Sequence, residues 1–86
     1  MENQKSIIHY HTAENGSVRV KLADALNSRA ITRNHLRTLT GVKYDVIDRY
    51  YKEVNIERVD LDFLAKVCYV LDCQISDLLE YVPPKE

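Results

Sequence analysis

The side chains best suited to chemistry are concentrated in residues 31–53, ITRNHLRTLTGVKYDVIDRYYKE. This segment combines arginine and lysine, which pair with anionic oxygens, with threonine and tyrosine hydroxyls that donate and accept hydrogen bonds. Charge is divided unevenly along the chain, because residues 1–17 carry −1, residues 18–58 carry +4 and residues 59–86 carry −4. A basic middle and an acidic end predict one surface that faces a polyanion and another that is turned away from it. Ordinary solvated helix faces would explain the same charges, so both interpretations stay open on charge alone.

Groupings typical of catalytic or metal sites are weak in this sequence. His35 has no Ser, Cys or carboxylate at a spacing that makes a nucleophile and base pair. His9 and His11 alternate on one side of a potential strand, but two ligands without paired cysteines are too few for zinc. Cys68 and Cys73 would lie on different sides of a helix that spans both, and we predict two small buried hydrophobes there. We therefore expect no enzyme, no metal and no cofactor.

The size and composition of the chain favour a helical binding module. Its 86 residues form one domain with no room for a deep substrate cleft. Hydrophobic residues at 45 % and charged residues at 29 % indicate a globular chain, and two Gly and two Pro favour helices over many short strands. No run approaches the roughly 20 apolar residues that cross a bilayer, and no signal-peptide core is present at the N-terminus. We expect a cytoplasmic protein that contacts neither a membrane nor a small-molecule ligand.

Apolar periodicity predicts five short helices that position the chemical side chains. The first helix is expected at about residues 20–29. The second begins after Thr32, an acceptable N-cap, and ends at Gly41, which can adopt the left-handed conformation. The residues of these two helices that we predict to face inward are Leu22, Ala25, Leu26, Leu36 and Leu39.

The third helix is predicted over residues 43–52. Val46, Ile47 and Tyr50 share its inner face at helical spacing. The residues on its outer face are Tyr44, Asp45, Asp48, Arg49 and Lys52. The tight corner between the second and third helices therefore displays both basic and acidic groups.

Two further helices complete the prediction. The fourth lies within VDLDFLAKVCYVLDC, where Asp60 or Asp62 can complement the N-terminal dipole. Its apolar stripe is predicted to contain Leu61, Leu64, Val67, Cys68 and Leu71. The fifth, SDLLEYV, would be capped by Ser76 and stopped by Pro83 and Pro84.

The N-terminal segment has two interpretations, a frayed tail or a β-hairpin. Asn15-Gly16 is a strong signal for a two-residue hairpin turn, and a hairpin over residues 6–20 would pair Ala13 with Val18. The first helix would then start past Val20. A lone hairpin is marginally stable, so this one would have to pack on the domain or on a second copy. We accordingly divide the chain into an extension, residues 1–17, and a domain, residues 18–86.

Residues from about 18 to 83 resemble the Cro/CI-type, or XRE-type, helix-turn-helix regulators, in the branch of small stand-alone bacterial proteins. The most specific part is VDLDFLAKVCYVLDCQISDLLEYVP, and ITRNHLRTLTGVKYDVIDRYYK matches the helix-turn-helix by length and apolar positions. The resemblance implies an all-α, five-helix, lambda-repressor-like DNA-binding domain. It also implies a sequence-specific transcriptional regulator that binds double-stranded DNA, as a homodimer or as two monomers on paired half-sites, and represses by occupying a promoter.

The resemblance implies a role for each polar residue of the corner. Thr32 and Arg33 at the start of the second helix would contact phosphate, as would Lys43 and Lys52. The residues expected to face base edges or nearby phosphates are Tyr44, Asp45, Asp48 and Arg49. Arg49 is the first candidate for contacting guanine.

Several residues depart from the pattern of the resembled family. Arg37 stands where a small residue is usual, and Lys43 stands where a Ser or Thr cap is usual. Asp45 and Asp48 are unfavourable near phosphates unless they orient neighbouring Arg or Tyr side chains. The alternative is therefore a protein-interaction module, antitoxin-like or anti-regulator, on the same scaffold with little DNA binding.

Overall fold

Four helices and two strands form residues 15–85, the part of the chain that the computed structural model describes. The helices are α1 (Leu22–Asn27), α2 (Arg33–Thr40), α3 (Tyr44–Lys52) and α4 (Leu61–Leu71). A 3-10 turn at Ile75–Asp77 follows α4, and the strands are β1 (Ser17–Val20) and β2 (Leu79–Val82). The architecture is mostly helical, as the spacing of the apolar residues predicted.

Local caps explain where α2 starts and stops. The backbone N–H of His35 donates to the Thr32 hydroxyl at 3.0 Å, which satisfies one of the free N–H groups of the first turn. The helix ends at Gly41, whose φ of 76° is left-handed and whose N–H donates to the Arg37 carbonyl at 2.8 Å. Glycine adopts this conformation without the roughly 1–2 kcal/mol that a Cβ would add. The predicted cap and stop of the second helix are therefore confirmed.

One core lies between the helices and the paired strands. It contains the buried hydrophobic residues Val20, Leu22, Ala25, Leu26, Leu36, Ile47, Tyr50, Phe63, Leu64, Val67, Leu71 and Leu78. Tyr50 stacks on Phe63 with ring centroids 4.5 Å apart and an interplanar angle of 19°, which joins α3 to α4. The Tyr50 hydroxyl accepts a hydrogen bond from the backbone N–H of Asp60 at 3.3 Å. The buried ring is thus satisfied at its polar end as well.

Two residues predicted to face inward do not do so. Leu39 is 43 % exposed and Leu61 is 77 % exposed. Leu36 is fully buried and fills the core side of the short helix α2, so Leu39 is left at its margin. On α4, which carries apolar residues on two opposite sides, Phe63 stacks on Tyr50, and Leu61 faces solvent. Periodicity alone could not choose between the two apolar stripes of α4.

The predicted fifth helix is wrong. Residues 75–77 form a single 3-10 turn, and the chain then becomes the strand β2, which ends just before Pro83. The Gln74 N–H donates to the Asp77 carboxylate at 2.9 Å, so this bond rather than a Ser76 cap closes the turn. A seven-residue helix is marginal by itself, whereas β2 gains backbone hydrogen bonds from β1.

The strands β1 and β2 form an antiparallel ribbon, in which Ser17 pairs with Val82 and Val20 with Leu79. A strand at residues 17–20 and a first helix that starts past Val20 agree with the hairpin interpretation. Asn15, a residue of the predicted turn, is however helical, and the pairing partner of Val18 among the described residues is Tyr81. The other arm of that hairpin, with His11 and Ala13, lies outside the described residues. The partner that the structure describes is instead at the opposite end of the chain.

The ribbon has a close backbone contact at Gly16 and an ion pair to α3 at Arg19. A Cβ on Gly16 would lie 2.2 Å from the Val82 carbonyl oxygen, and Gly16 has a left-handed φ of 76°. Arg19 forms a two-pronged ion pair with Glu53 at the end of α3, with N–O distances of 2.8 and 3.3 Å. Hydrogen bonding to Arg19 lowers the pKa of Glu53 against the opposing effect of burial. Arg19 therefore links the ribbon to the end of α3.

None of the helices in residues 15–85 is long and apolar enough to cross a membrane.

Candidate functional site

A rigid corner joins α2 to α3. Three residues separate the two helices, and beneath the corner Leu36 and Ile47 are fully buried. The Thr40 hydroxyl donates to the Leu36 carbonyl at 2.8 Å and accepts from the Val42 N–H at 3.2 Å. The start of the turn is thus hydrogen-bonded to the last turn of α2, and the buried Leu36 and Ile47 hold the two helices together beneath it.

Arg33, the first residue of α2, is held by residues of α3. Its guanidinium forms an ion pair with the Asp48 carboxylate and lies 4.2 Å from the centroid of the Tyr51 ring. The other Asp48 oxygen receives Lys52 at 3.2 Å. Tyr44 lies on the same side, with its ring centroid 6.0 Å from the Arg33 guanidinium. We call Arg33, Tyr44, Asp48, Tyr51 and Lys52 the Arg33 cluster.

The Arg33 cluster is cationic although it contains an acid. Burial acts to raise the pKa of Asp48, but the hydrogen bonds and charges of Lys52 and Arg33 outweigh it, so that the pKa is lowered. Asp48 is therefore ionised at neutral pH. One carboxylate between two cations leaves a net charge of +1, and the carboxylate oxygens are already occupied by donors.

A concave site of about 340 Å³ opens beside the cluster. Its lining residues are Asn27, Ala30, Ile31, Thr32, Arg33 and Tyr51. The Tyr51 hydroxyl hydrogen-bonds to the Asn27 side chain at 3.3 Å, which connects the end of α1 to α3. The N-terminus of α2 also lies here, and the positive end of a helix dipole favours an anion. A hydroxyl, a guanidinium and a helix N-terminus make this a suitable place for a phosphate group.

The rest of the outer face of α3 is open to solvent. Tyr44 is 41 % exposed, and Lys43, Asp45 and Arg49 are exposed as well. Asp45 accepts a hydrogen bond from the Val46 N–H at 3.0 Å, so its carboxylate partly stabilises the start of its own helix. Arg49 lies 5.4 Å from the centroid of the Tyr50 ring and forms no ion pair with another described residue. Its guanidinium is available for an external acceptor.

The structure brings together a part of the predicted site residues. Those in the Arg33 cluster or beside it are Thr32, Arg33, Tyr44, Asp48 and Lys52. Those on the same corner without a contact to the cluster are Lys43, Asp45 and Arg49. Sequence reasoning missed Asn27 and Tyr51. Tyr51 follows Tyr44 by seven positions, so helical spacing could have placed both on one side of α3, but no sequence signal pointed to Asn27.

The cysteines lie close together and lack the character of a reactive pair. The chain reverses at Asp72, with φ of 53°, and the Cys73 N–H donates to the Cys68 carbonyl at 3.1 Å. Both side chains are half-buried, and burial, reinforced by the neighbouring Cys68 thiol, raises the pKa of Cys73 to about 11. The helix does not span both residues, because α4 ends at Leu71. A protonated thiol at neutral pH is a poor nucleophile.

No group of three or more His, Cys, Asp and Glu side chains in residues 15–85 is placed to hold a metal ion. His9 and His11 lie outside the described residues.

The sequence and the fold were compared with those of known proteins, and the matches include the α2–α3 corner. A family model described as the Cro/C1-type HTH DNA-binding domain matches residues 21–84, most of the chain. A solved structure of the transcriptional regulator VanUg is 26 % identical, with a TM-score of 0.64, and the match covers 96 % of this chain and 99 % of that one. A candidate DNA-binding protein from Bacteroides fragilis has the same TM-score at 22 % identity, over 74 % of this chain and all of that one, which shows a shared fold. No curated protein matches the sequence.

Proposed function

The chain belongs to the Cro/C1-type helix-turn-helix DNA-binding domain family, and from that membership we propose that it is a sequence-specific transcriptional regulator. It binds duplex DNA as a homodimer or as two monomers on paired half-sites, and it represses by occupying a promoter. The observation that carries the proposal is the α2–α3 corner, which pairs an exposed polar helix face with a cationic concave site. The solved structure of VanUg, a transcriptional regulator with the same fold, supports the regulatory role.

In this proposal α3 enters the major groove and α2 crosses the backbone. Arg49 contacts base edges, with guanine as its preferred partner, because its guanidinium is exposed and makes no ion pair with a described residue. Tyr44 and Asp45 flank it at the start of the helix. Lys43 and Lys52 contact phosphates on either side.

We further propose that a DNA phosphate occupies the concave site beside the Arg33 cluster. Thr32 and the first turn of α2 supply hydrogen-bond donors there, and Arg33 supplies charge. Arg33 is held by Asp48 and stacked on Tyr51, so it loses little side-chain freedom on binding.

Asp48 then acts indirectly rather than by contacting a base. Both of its oxygens receive a cation, Arg33 on one side and Lys52 on the other. This arrangement is the condition under which an acid near DNA is tolerable, since the acid orients the groups that contact phosphate. Asp45 has no cationic partner among the described residues. Its carboxylate therefore repels the DNA phosphates and weakens binding.

The test is fluorescence anisotropy with the purified chain on the duplex upstream of its own gene and on a random duplex of equal length. Titrations across a salt series should show tighter binding to the first duplex. The logarithm of affinity should fall linearly with the logarithm of salt, with a slope of about 0.9 per phosphate contact. Binding that is equal on both duplexes would contradict sequence-specific regulation.

A protein-interaction module is the second candidate, and one observation favours it. Leu39 and Tyr44 are 43 % and 41 % exposed on the same corner as the acidic Asp45, a combination that suits a protein partner as well as DNA. Absence of binding to either duplex at low salt would favour this candidate. A partner bound through apolar anchors would show far less salt dependence.

A further inference from the structure

The outer face of α4 carries an apolar stripe that no described residue covers. Tyr69 and Leu61 are 87 % and 77 % exposed, the highest values among the large hydrophobic side chains of residues 15–85. Ala65 lies between them and is exposed. Spaced by four positions, the three residues follow one line along the helix, opposite the stripe that faces the core. We call Leu61, Ala65 and Tyr69 the α4 stripe.

The α4 stripe is complementary to itself. A small residue, Ala65, stands at its centre, with one large side chain four positions before it and another four positions after it. Two copies of α4 packed antiparallel across a twofold axis at Ala65 would set Leu61 of each copy against Tyr69 of the other. The alanines at the axis allow the two helices to approach closely.

The charges beside the stripe favour the same antiparallel arrangement. Asp62 and Lys66 lie along one flank of it, 3.1 Å apart, and both are substantially exposed. In an antiparallel pair this flank of one copy adjoins the same flank of the other, and the order Asp, Lys, Lys, Asp places each acid next to the partner copy's lysine. A parallel pair would put the two flanks on opposite sides of the contact, where these charges would not meet.

We propose that two copies of this chain associate through the α4 stripe, antiparallel about Ala65. This inference names the surface of the homodimer and in that respect rests on the proposed function. An 11-residue helix is about 16 Å long, so the contact falls well below the ~800 Å² per partner of a standard stable interface. The dimer is therefore weak in solution, and adjacent half-sites on DNA strengthen it by raising the effective concentration.

Sedimentation equilibrium of the full chain without DNA tests the surface. The wild-type chain should show a concentration-dependent monomer–dimer equilibrium, and Tyr69→Asp should raise the dimer Kd at least tenfold. Val54→Asp is the matched control, since Val54 is 47 % exposed but lies beyond the end of α3, and it should leave the Kd unchanged. Circular dichroism should show intact helix in both variants. A wild-type chain that stays monomeric, or a Tyr69→Asp variant that dimerises as well as the control, overturns the proposal.

A charge exchange tests the antiparallel arrangement. Lys66→Glu leaves only acids on the flank and Asp62→Lys leaves only bases, so each variant alone should dimerise several-fold more weakly than wild type. An equimolar mixture should form a heterodimer more readily than either variant associates with itself. Adding Tyr69→Asp to one of the two should abolish it. Equal association of the mixed and separate variants overturns the antiparallel arrangement.

Because these measurements contain no DNA, the two proposals fail separately. A chain that dimerises through α4 but binds no duplex contradicts the proposed function alone. A chain that binds its duplex specifically, with wild type and Tyr69→Asp both monomeric in solution, contradicts the α4 surface alone.

Discussion

At the scale of single residues, the decisive feature is how each charged side chain on the helix corner is partnered. Asp48 and Arg33 are half-buried and held together by an ion pair, whereas Asp45 and Arg49 are exposed and have no ionic partner among the described residues. Phosphate contacts position a protein on DNA, and base contacts specify the sequence. We expect the fixed groups to make the phosphate contacts and the free groups to make the base contacts. Residues with the same charge on the same corner should therefore respond differently to substitution.

Substitutions of Arg49 and Arg33 should differ in their effect on sequence specificity. Arg49→Ala should relax preference at one base position, at a cost of about 1–3 kcal/mol for the preferred duplex and little for random DNA. Arg33→Ala should weaken binding to every duplex and reduce the salt slope by about 1. Anisotropy titrations on a set of single-base variants of the target duplex would measure both. A uniform loss with Arg49→Ala would remove it from the reading face.

The two aspartates should change affinity in opposite directions. Asp45→Asn keeps the hydrogen bond to the Val46 N–H but removes an exposed negative charge, so binding to random duplex should strengthen. Asp48→Asn frees Arg33 and Lys52 from their shared acceptor, so binding to the specific duplex should weaken although a negative charge has been removed. The same titrations, at one salt concentration, provide the comparison. Stronger binding by both variants would mean that Asp48 only repels DNA.

At the scale of elements, the ribbon of β1 and β2 is the part that the helical pattern did not reveal. Caps and stops are local, so Thr32 and Gly41 could be assigned from the sequence, as could the third helix and the buried side of the first. The strand β2 could not, because its conformation depends on β1, with Ser17 opposite Val82 at the far end of the chain. Hydrophobic periodicity depends on residues a few positions apart, so it cannot predict a pairing between strands that are distant in sequence.

The site shows the same limit. All the predicted site residues lie on α2 or α3 or at their ends, because the corner that carries them has a local signature. The ion pair between Arg33 and Asp48 joins two helices, and no spacing rule predicts it. The burial of Phe63 in place of Leu61 was likewise decided by the Tyr50 ring on another helix.

The ribbon predicts unequal effects at the two glycines. Gly16→Ala places a Cβ 2.2 Å from the Val82 carbonyl oxygen, in addition to the strain of a left-handed φ, so the loss of stability should exceed roughly 2 kcal/mol. Gly41→Ala is the matched control, because it has the same φ of 76° but nothing within 4 Å of the added Cβ. It should cost only about 1–2 kcal/mol. Urea denaturation followed by circular dichroism measures both, and equal losses would show that β1 and β2 do not approach closely at Gly16.

At the scale of the whole molecule, two carboxylates on α3 join parts of the fold that are distant in sequence. Asp48 connects α3 to α2, and Glu53 connects α3 to the ribbon through Arg19. The pKa of each is lowered in the folded chain. Each therefore contributes stability that is present above its unfolded pKa and is lost as pH falls through the lower folded value.

Acid should accordingly weaken the fold. The urea midpoint should be steady from neutral pH down to about pH 5 and should fall progressively below that, as the unfolded carboxylates, with pKa values of about 4, take up protons. The control is Glu53→Gln, which removes one of the two groups and should flatten the fall. A midpoint that is independent of pH in both proteins would contradict the contribution of these ion pairs.

The pairing of β1 with β2 also has a consequence for how the protein is made. β1 leaves the ribosome about 60 residues before the strand that it pairs with. Its backbone N–H and C=O groups therefore lack the β2 partner while α1 to α4 are synthesised. Helices with local contacts form early, whereas closing a loop of this length carries an entropic cost that is recovered only when both strands are present. Completion of the ribbon is therefore a late event in biosynthesis, and a ribosome that stalls before Leu79 leaves β1 without this partner.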